Sequence, residues 1–427
     1  MIHINHKVKA EALDYRGYGV VKDLGKVGFI KGLLPGEEAI IRITSEKKNF
    51  FEGVIVELLT KSRHRSNFYD EYDNNSLIHL ESSKQLSFQV DITVETLLRN
   101  GIKDFFMHDI ITNHKYFNYR NKARFIARNN PYLLLGGYKE GTNKFVEMDE
   151  LIQAEPLINN LLKILKDHYR EERVIYPDLN SITIRTNKTE AMVIFVTNSP
   201  RSIPLVLYEM LLNDKRVVSI YHQQLIREKG TYHFKTITKF KNDFLIDYID
   251  KYQFVIYPNS FFQVNREVAR LTYEKIKDLL DEDDEVIDAF AGMSSIGQYV
   301  SDKVLNVYSI ENNEDSVNSA IKSMELNKIS NVEIVLADFF KVFTKYQKRA
   351  NTIIIDPPRS GLNDDVLTKI NNSKLKKVIY LSCNLRTLVS DIKKLTNYEI
   401  KEITPVKMFF QTVEMETLAY LERKENE

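Results

Sequence analysis

Cys383 is the only cysteine in a chain of 427 residues, so its chemistry has to be read from its own surroundings. The segment KKVIYLSCNLRTLVSDI has the pattern of a strand whose C-terminal end carries Ser382, Cys383 and Asn384, followed at once by a helix. A lone cysteine is most often a small buried hydrophobe. A thiol at a strand end beside a helix N-terminus is placed differently: helix amides lower its pKa and substrate can reach it, as a nucleophile requires. One cysteine forms no intrachain disulfide and cannot supply the thiolates of a Cys-ligated iron–sulfur cluster or a Cys-rich zinc site. Two acidic features accompany it. NTIIIDPPRSG, residues 351–361, is a buried-strand pattern ending in Asp356, and the two prolines that follow hold the chain extended. In MFFQTVEMETLAYLERK, Glu414 and Glu416 lie two residues apart, so in an extended strand both would point the same way. The pair could be a solvated acidic edge or could hold a catalytic base.

A second group of residues has the character of a nucleoside site. EVIDAFAGMSSIG, residues 285–297, runs from an apolar strand through Asp288 and Gly292 into a helix, a turn where backbone can approach a ligand closely. Taken alone it is also an ordinary strand-to-helix turn. The next strand, VLNVYSIE, ends in Glu311, where a nucleotide-binding α/β sheet sets a carboxylate against ribose hydroxyls, and IVLADFF brings Asp338 to the end of a third. If the sheet winds in the usual way, Asp288, Glu311 and Asp338 face one crevice. So many carboxylates would repel a dinucleotide and suit a cationic sulfonium attached to ribose and adenine, which favours a methyl donor over NAD.

These residues need a scaffold, and the remainder of the chain supplies the pattern for one. After about residue 254 the order becomes helix, strand, glycine turn, helix, strand, which predicts a doubly wound, Rossmann-like parallel sheet over residues 254–427. Residues 1–60 alternate short β-rich runs with glycine turns (GYGVV, VGFIKGLLPGE, AIIRI, FEGVIVELL), the pattern of a small OB-like β-barrel. Residues 61–253 begin with a polar linker, KSRHRSNFYDEYDNNS, and a helix near 80–100. They continue as an α+β module with strands KARFIARNN, SITIRT, AMVIFVTN and VVSIYHQQLI and a helix from Glu155 to Tyr169. The overall class is α/β. Hydrophobic residues make up 43% and charged residues 28%, ordinary for a globular protein, and no run is long and apolar enough for a membrane span. The first residues lack the apolar core of a signal peptide, so a cytoplasmic protein without a membrane partner is expected. The net charge of +1 by itself announces no polyanionic partner.

The chemistry these residues suit is specific. Carbon 5 of uracil is a poor nucleophile, but a thiolate adding to carbon 6 converts the ring to an enolate whose carbon 5 attacks a methyl sulfonium. Cys383 would be the thiolate and Glu416 the base that removes the carbon 5 proton before the thiolate leaves. A base within folded RNA would have to be flipped out to be reached from both faces. The motifs resemble those of the RNA uracil-5-methyltransferases, the 23S ribosomal RNA branch in particular, over nearly the whole chain. GYGVV, GFIKGLLPGE and VIVELL resemble the TRAM barrel, an RNA-binding module; YRNKARF, GGYKEGTNKFVEMD and PNSFFQVN resemble the central module and its junction with the catalytic domain.

That resemblance implies S-adenosyl-L-methionine as cofactor, with donor contacts at Gln263, Phe290, Ser295, Glu311, Asp338 and Asp356, the last also near the target base. It implies Cys383 as nucleophile and selects Glu416 over Glu414 as base. It also implies an RNA partner, 23S ribosomal RNA first and transfer RNA second, and a monomeric protein is expected. Relatives often carry a four-cysteine iron–sulfur site after the barrel. FYDEYDNNSLIHLESS has no cysteine, so no iron–sulfur cluster and no metal are expected. Phe410 and Gln411 stand where the family often has proline and histidine, and Ser294 and Ser295 replace its more usual turn residues. In the barrel segment Lys7, Lys9, Arg16, Lys22, Lys26, Lys31, Arg42, Lys47 and Lys48 give a positive bias suited to phosphates. Tyr119, Arg120, Lys122, Phe261 and Phe262 are further candidates for RNA or pocket contacts, although aromatics at strand spacing commonly belong to a core.

Overall fold

The computed structural model describes residues 5–68, 75–139, 142–228 and 230–425. Parts of the polar linker and of GGYKEGTNKFVEMD therefore lie outside the described residues. The chain forms two compact units, one of Met1–Thr96, Tyr138–Lys144 and Phe409–Met415, the other of Leu97–Gly137, Phe145–Met408 and Glu416–Glu427.

The first unit contains a six-stranded sheet in the order Asn5–Lys9, Glu38–Glu46, Phe50–Leu58, Val27–Lys31, Gly19–Val21, Ala12–Leu13. Alternation along the strands turns Val8, Val21, Ile30, Ala39, Ile41 and Phe51 into one buried cluster, the interior expected of a barrel-like sheet. Fully buried Glu37 ties the sheet to the segment after it, accepting from Arg65 and from the amides of Leu34 and Ser62. The positive bias read from the sequence is partly matched by carboxylates: Lys7 pairs with Glu38, Arg16 with Asp14 and Glu52, Lys22 with Glu11 and Lys26 with Glu46. Sequence counting sees the cations of each strand but not the acids that the neighbouring strand sets beside them. The helix Ser82–Arg99 follows. Gln411, at φ +68° and buried, exchanges hydrogen bonds with Gln85: its backbone N–H donates to Gln85 Oε1 at 2.9 Å, and its Oε1 accepts from Gln85 Nε2 at 2.8 Å. The residue that departs from the family pattern is thus a structural amide holding the 409–415 loop.

The second unit has two large sheets. A seven-stranded sheet runs Phe145–Glu147, Leu133–Tyr138, Lys122–Asn129, Leu179–Thr186, Ala191–Thr197, Val217–Glu228, Thr231–Lys241. The amphipathic helix Pro156–Glu171 packs on it. The second sheet has the order Val332–Leu336, Asn306–Glu311, Glu285–Ala289, Thr352–Ile355, Lys377–Ser382, Glu416–Arg423, Tyr398–Val406, Phe106–Met107. Its first five strands are parallel, and most of their central residues are buried, as apolar strands between helical layers must be. Glu416–Arg423 runs antiparallel between Lys377–Ser382 and Tyr398–Val406. Among the strands not anticipated are Thr231–Lys241, whose residues are mostly exposed, and Tyr398–Val406, YEIKEITPV, whose first half is less buried than its second. In both the alternation of apolar and polar residues breaks after about four residues, short of the full pattern that marks a half-buried strand. Among the described residues no helix is long and apolar enough to cross a membrane.

A buried ion group joins three segments of this unit. The Arg266 guanidinium donates to both carboxylate oxygens of Asp247 at 2.7 Å and to Glu155, and all three residues are buried. Burial raises the Asp247 carboxyl to about 6 even against the pull of Arg266. Removing the cation strands two carboxylates in a dry interior, which typically costs about 3–5 kcal/mol. Arg266→Met is therefore expected to lower the unfolding free energy by roughly that amount, and urea titration followed by circular dichroism measures it.

Candidate active site

The C-terminal edge of the parallel strands collects most of the residues marked in the sequence. Asp288 is the fourth residue of Glu285–Ala289, and Glu311 closes Asn306–Glu311. Asp338 lies two residues beyond Val332–Leu336, Asp356 directly follows Thr352–Ile355, and Cys383 directly follows Lys377–Ser382. Glu416 opens an antiparallel strand, so its first residue arrives at the same edge. Strand pairing runs as far as Ser382 with Thr417, and one step further along the same register Cys383 comes opposite Glu416. Directly opposed residues in an antiparallel pair have Cβ atoms about 4.5–5.5 Å apart. Glu414 lies before the strand begins, so the two glutamates do not share an extended face. Gln263 comes from elsewhere, the loop before helix Arg266–Asp278, and its carbonyl accepts from buried Asn121 at 3.0 Å.

The turn after Asp288 is tightly built. Phe290, Gly292 and Ser294 all have left-handed φ, at +60°, +55° and +56°. Two of the three are not glycine, and such strain is retained where surrounding contacts hold it, commonly at ligand sites. Asp288, 1% exposed, accepts from the Ser309 hydroxyl at 2.9 Å and the Gly297 amide at 3.1 Å. A Cβ on Gly297 would meet these groups within 2.5–2.8 Å, so only glycine lets the helix start there. Asp288 therefore holds the turn from inside and does not line an open crevice. Beside Gly292 a Cβ would meet open space, which leaves its backbone accessible. Glu311 fixes that glycine by accepting from its amide at 2.9 Å and from the amides of Asn312 and Asn313. Asp338 caps the helix Phe339–Tyr346, and the Phe290 ring packs against Phe339 and Phe340. Ser295 shares a hydrogen bond with Tyr273 at 2.9 Å. Tyr273, fully buried and influenced by Asp288, Asp356 and Glu416, escaped sequence reading because a tyrosine inside a helix looks like core.

On the reaction side, Asn384 donates to the Arg359 carbonyl at 3.1 Å and caps helix Leu385–Ile392, tying the cysteine loop to the loop after Asp356. Asp391 accepts from the Leu362 amide and the Tyr380 hydroxyl, holding the same loop from behind. Neither role has a local signal in the sequence. Glu416 is 7% exposed and its Oε2 has no hydrogen-bond partner. Burial, with Asp356 beside it, pushes its carboxyl up to about 8; burial and Asp288 push Asp356 up to about 7, and burial pushes Asp288 up to about 7.

The sequence led us to expect a lowered Cys383 pKa, and the structure reverses this. Burial raises the thiol first, then the charges of Glu416 and Asp356, while Arg359 opposes them. Because the two carboxylates push the thiol up as they ionise, Asp356→Asn and Glu416→Gln are each expected to shift the pH midpoint of Cys383 alkylation by iodoacetamide downward. An unchanged midpoint in both variants would show that neither charge reaches the sulfur.

A cluster of carboxyls whose pKa burial raises, with an orphaned oxygen among them, fits a cationic ligand, since a positive charge would favour their ionised forms. Among the described residues no group of three or more His, Cys, Asp or Glu could hold a metal ion. Fold and site together define an S-adenosylmethionine-dependent methyltransferase. The tRNA (Uracil-5-)-methyltransferase family model matches residues 95–424, and the chain belongs to this family of RNA uracil-5-methyltransferases. It is 32% identical to an uncharacterized RNA methyltransferase of Bacillus cereus, covering 97% of this chain and 96% of the relative. A second uncharacterized RNA methyltransferase, from Fusobacterium nucleatum, is 29% identical over 98% of this chain and 96% of its own. Among solved structures, the tRNA (uracil-54, C5)-methyltransferase of Pyrococcus abyssi in complex with S-adenosyl-L-homocysteine matches with a TM-score of 0.80. It shares 25% identity, with 98% of this chain and 100% of the other covered.

Proposed function

We propose that this protein methylates carbon 5 of a uridine in 23S ribosomal RNA through a covalent adduct on Cys383. The observation that carries the reading is that Cys383 and Glu416 lie one step past the Ser382–Thr417 pair at the ends of adjoining strands, with the charges of Glu416 and Asp356 acting on the sulfur. The thiolate adds to carbon 6, forming a carbon–sulfur bond and leaving electron density at carbon 5. The bound donor supplies an electrophilic methyl group to that carbon. Glu416 then removes the carbon 5 proton, the carbon 5–carbon 6 double bond re-forms and the carbon–sulfur bond breaks, returning the thiolate. A carboxyl raised by burial is a stronger base once ionised, and its orphaned oxygen leaves a site for that proton. Phe290, Glu311, Asp338 and the Gly292 backbone would hold the nucleoside part of the donor, with Gln263, Ser295 and Asp356 nearer its amino-acid and sulfonium end.

The barrel-like sheet of residues 1–60 supports ribosomal RNA through its resemblance to a TRAM module, with residues 61–253 as a second RNA-binding segment and 254–427 as the catalytic one. A specific observation favours transfer RNA as the second reading: the Pyrococcus abyssi relative is by its name a tRNA uracil-54 enzyme. Incubation with unmodified total RNA and labelled donor, followed by mapping of labelled uridines, tests both. Label in 23S RNA supports the first reading, label confined to transfer RNA the second, and no labelled uridine overturns both.

A further inference from the structure

Val217–Glu228 and Thr231–Lys241 form a long antiparallel ribbon at the edge of the seven-stranded sheet, and the site described above makes no use of it. Register places Arg227 opposite Tyr232 and Leu225 opposite Phe234, so these four side chains share one face. Tyr232 is 58% exposed and Phe234 38%, while the Arg227 guanidinium lies over the Tyr232 ring, 5.7 Å from its centroid. Alternate residues of a strand are about 7 Å apart, which spaces the two rings as separate platforms. On the reverse face Lys235 stands opposite Gln224. The strand TYHFKTITKFK contains no carboxylate, and between Leu225 and Phe240 the described residues contain only Glu228.

Large aromatic rings left in water on an open edge need a reason, and the charge says which partner suits them. A second copy of the chain laid on this face would bring Arg227 against its own counterpart. A polyanion with unpaired bases matches both components: rings offer stacking surfaces, and flanking cations meet phosphates.

We propose that this face of the ribbon is a docking surface for single-stranded RNA, with Tyr232 and Phe234 stacking unpaired bases and Arg227 meeting a phosphate. The inference rests on RNA being the substrate, and it places a contact outside the residues that carry the chemistry.

The test measures binding without turnover. A fluorescent oligouridine of about ten nucleotides, within the usual span of a single-strand site, is titrated at low salt into the parent protein and a Tyr232→Ala, Phe234→Ala variant. The Kd is expected to rise about tenfold or more, the usual consequence of removing a stacking platform, with affinity for S-adenosyl-L-homocysteine unchanged. An Arg227→Gln variant keeps the rings and is expected to flatten the salt dependence of binding, since a lost phosphate contact lowers the slope by about 0.7 for single strands. Equal Kd in parent and aromatic variant overturns the proposal, as does a loss of self-association with Kd unchanged, which would make the ribbon a contact between copies. Because no methyl transfer is involved, a protein that labels no uridine can still show the expected binding change. Failure of the catalytic reading is thereby separated from failure of this one.

Discussion

Cys383→Ala is expected to reduce methyl transfer by on the order of 10⁴-fold or more, the scale seen when a covalent nucleophile is removed, while donor affinity stays within about twofold of the parent value. The separation follows from the sheet. The cysteine follows Lys377–Ser382, whereas the glycine turn, Glu311 and Asp338 belong to Glu285–Ala289 and the two strands beyond it. The thiol lies on a different strand end from those residues, so its truncation is expected to leave their arrangement alone. Single-turnover assays with labelled donor, together with calorimetric titration of S-adenosyl-L-homocysteine, read the two quantities independently. Methylation at the parent rate would remove Cys383 from the reaction altogether.

Glu416→Gln should stop the reaction one step later. The glutamine keeps the shape and loses the ability to accept a proton, so carbon 5 keeps both its hydrogen and the new methyl group, and sulfur cannot be expelled. An RNA–protein complex that survives denaturing gel electrophoresis is the expected product, with labelled methyl in the complex and little free methylated RNA. The parent shows only a transient trace. The double variant with Cys383→Ala must show none, since the bond is to that sulfur. A Glu416→Gln protein that turns over freely would assign the proton to another group, and Asp356, raised by the same burial, would be the first to examine.

The sequence was most informative where a local pattern and a tertiary role coincide. The apolar runs ending in Glu311, Asp356 and Cys383 became parallel strands because only buried strands are apolar on both faces, and their last residues reached the ligand edge by topology alone. What stayed hidden depends on neighbours distant in the chain. Asp288 reads as a site carboxylate, yet Ser309 and Gly297 turn it inward. The thiol reads as activated by a helix terminus, yet that helix has its own cap in Asn384, and the buried carboxyls dominate. The lysines of residues 1–60 read as a phosphate surface, yet cross-strand glutamates answer several of them. Tyr273 gave no signal because its partners, Ser295 and the acidic cluster, come together only when the sheet is wound.

The strand Glu416–Arg423 is hydrogen-bonded on both sides, to Lys377–Ser382 and to Tyr398–Val406, and no other strand joins those two. It acts as a keystone: until it is seated, the sheet has a gap and the sulfur faces no base. Partial loosening by mild urea or heat would therefore silence the reaction while the donor half, built on the strands from Val332 to Ile355, still grips its ligand. On the proposed assignment of the site, a molecule in which this strand is not seated would hold a methyl donor without being able to complete transfer to RNA.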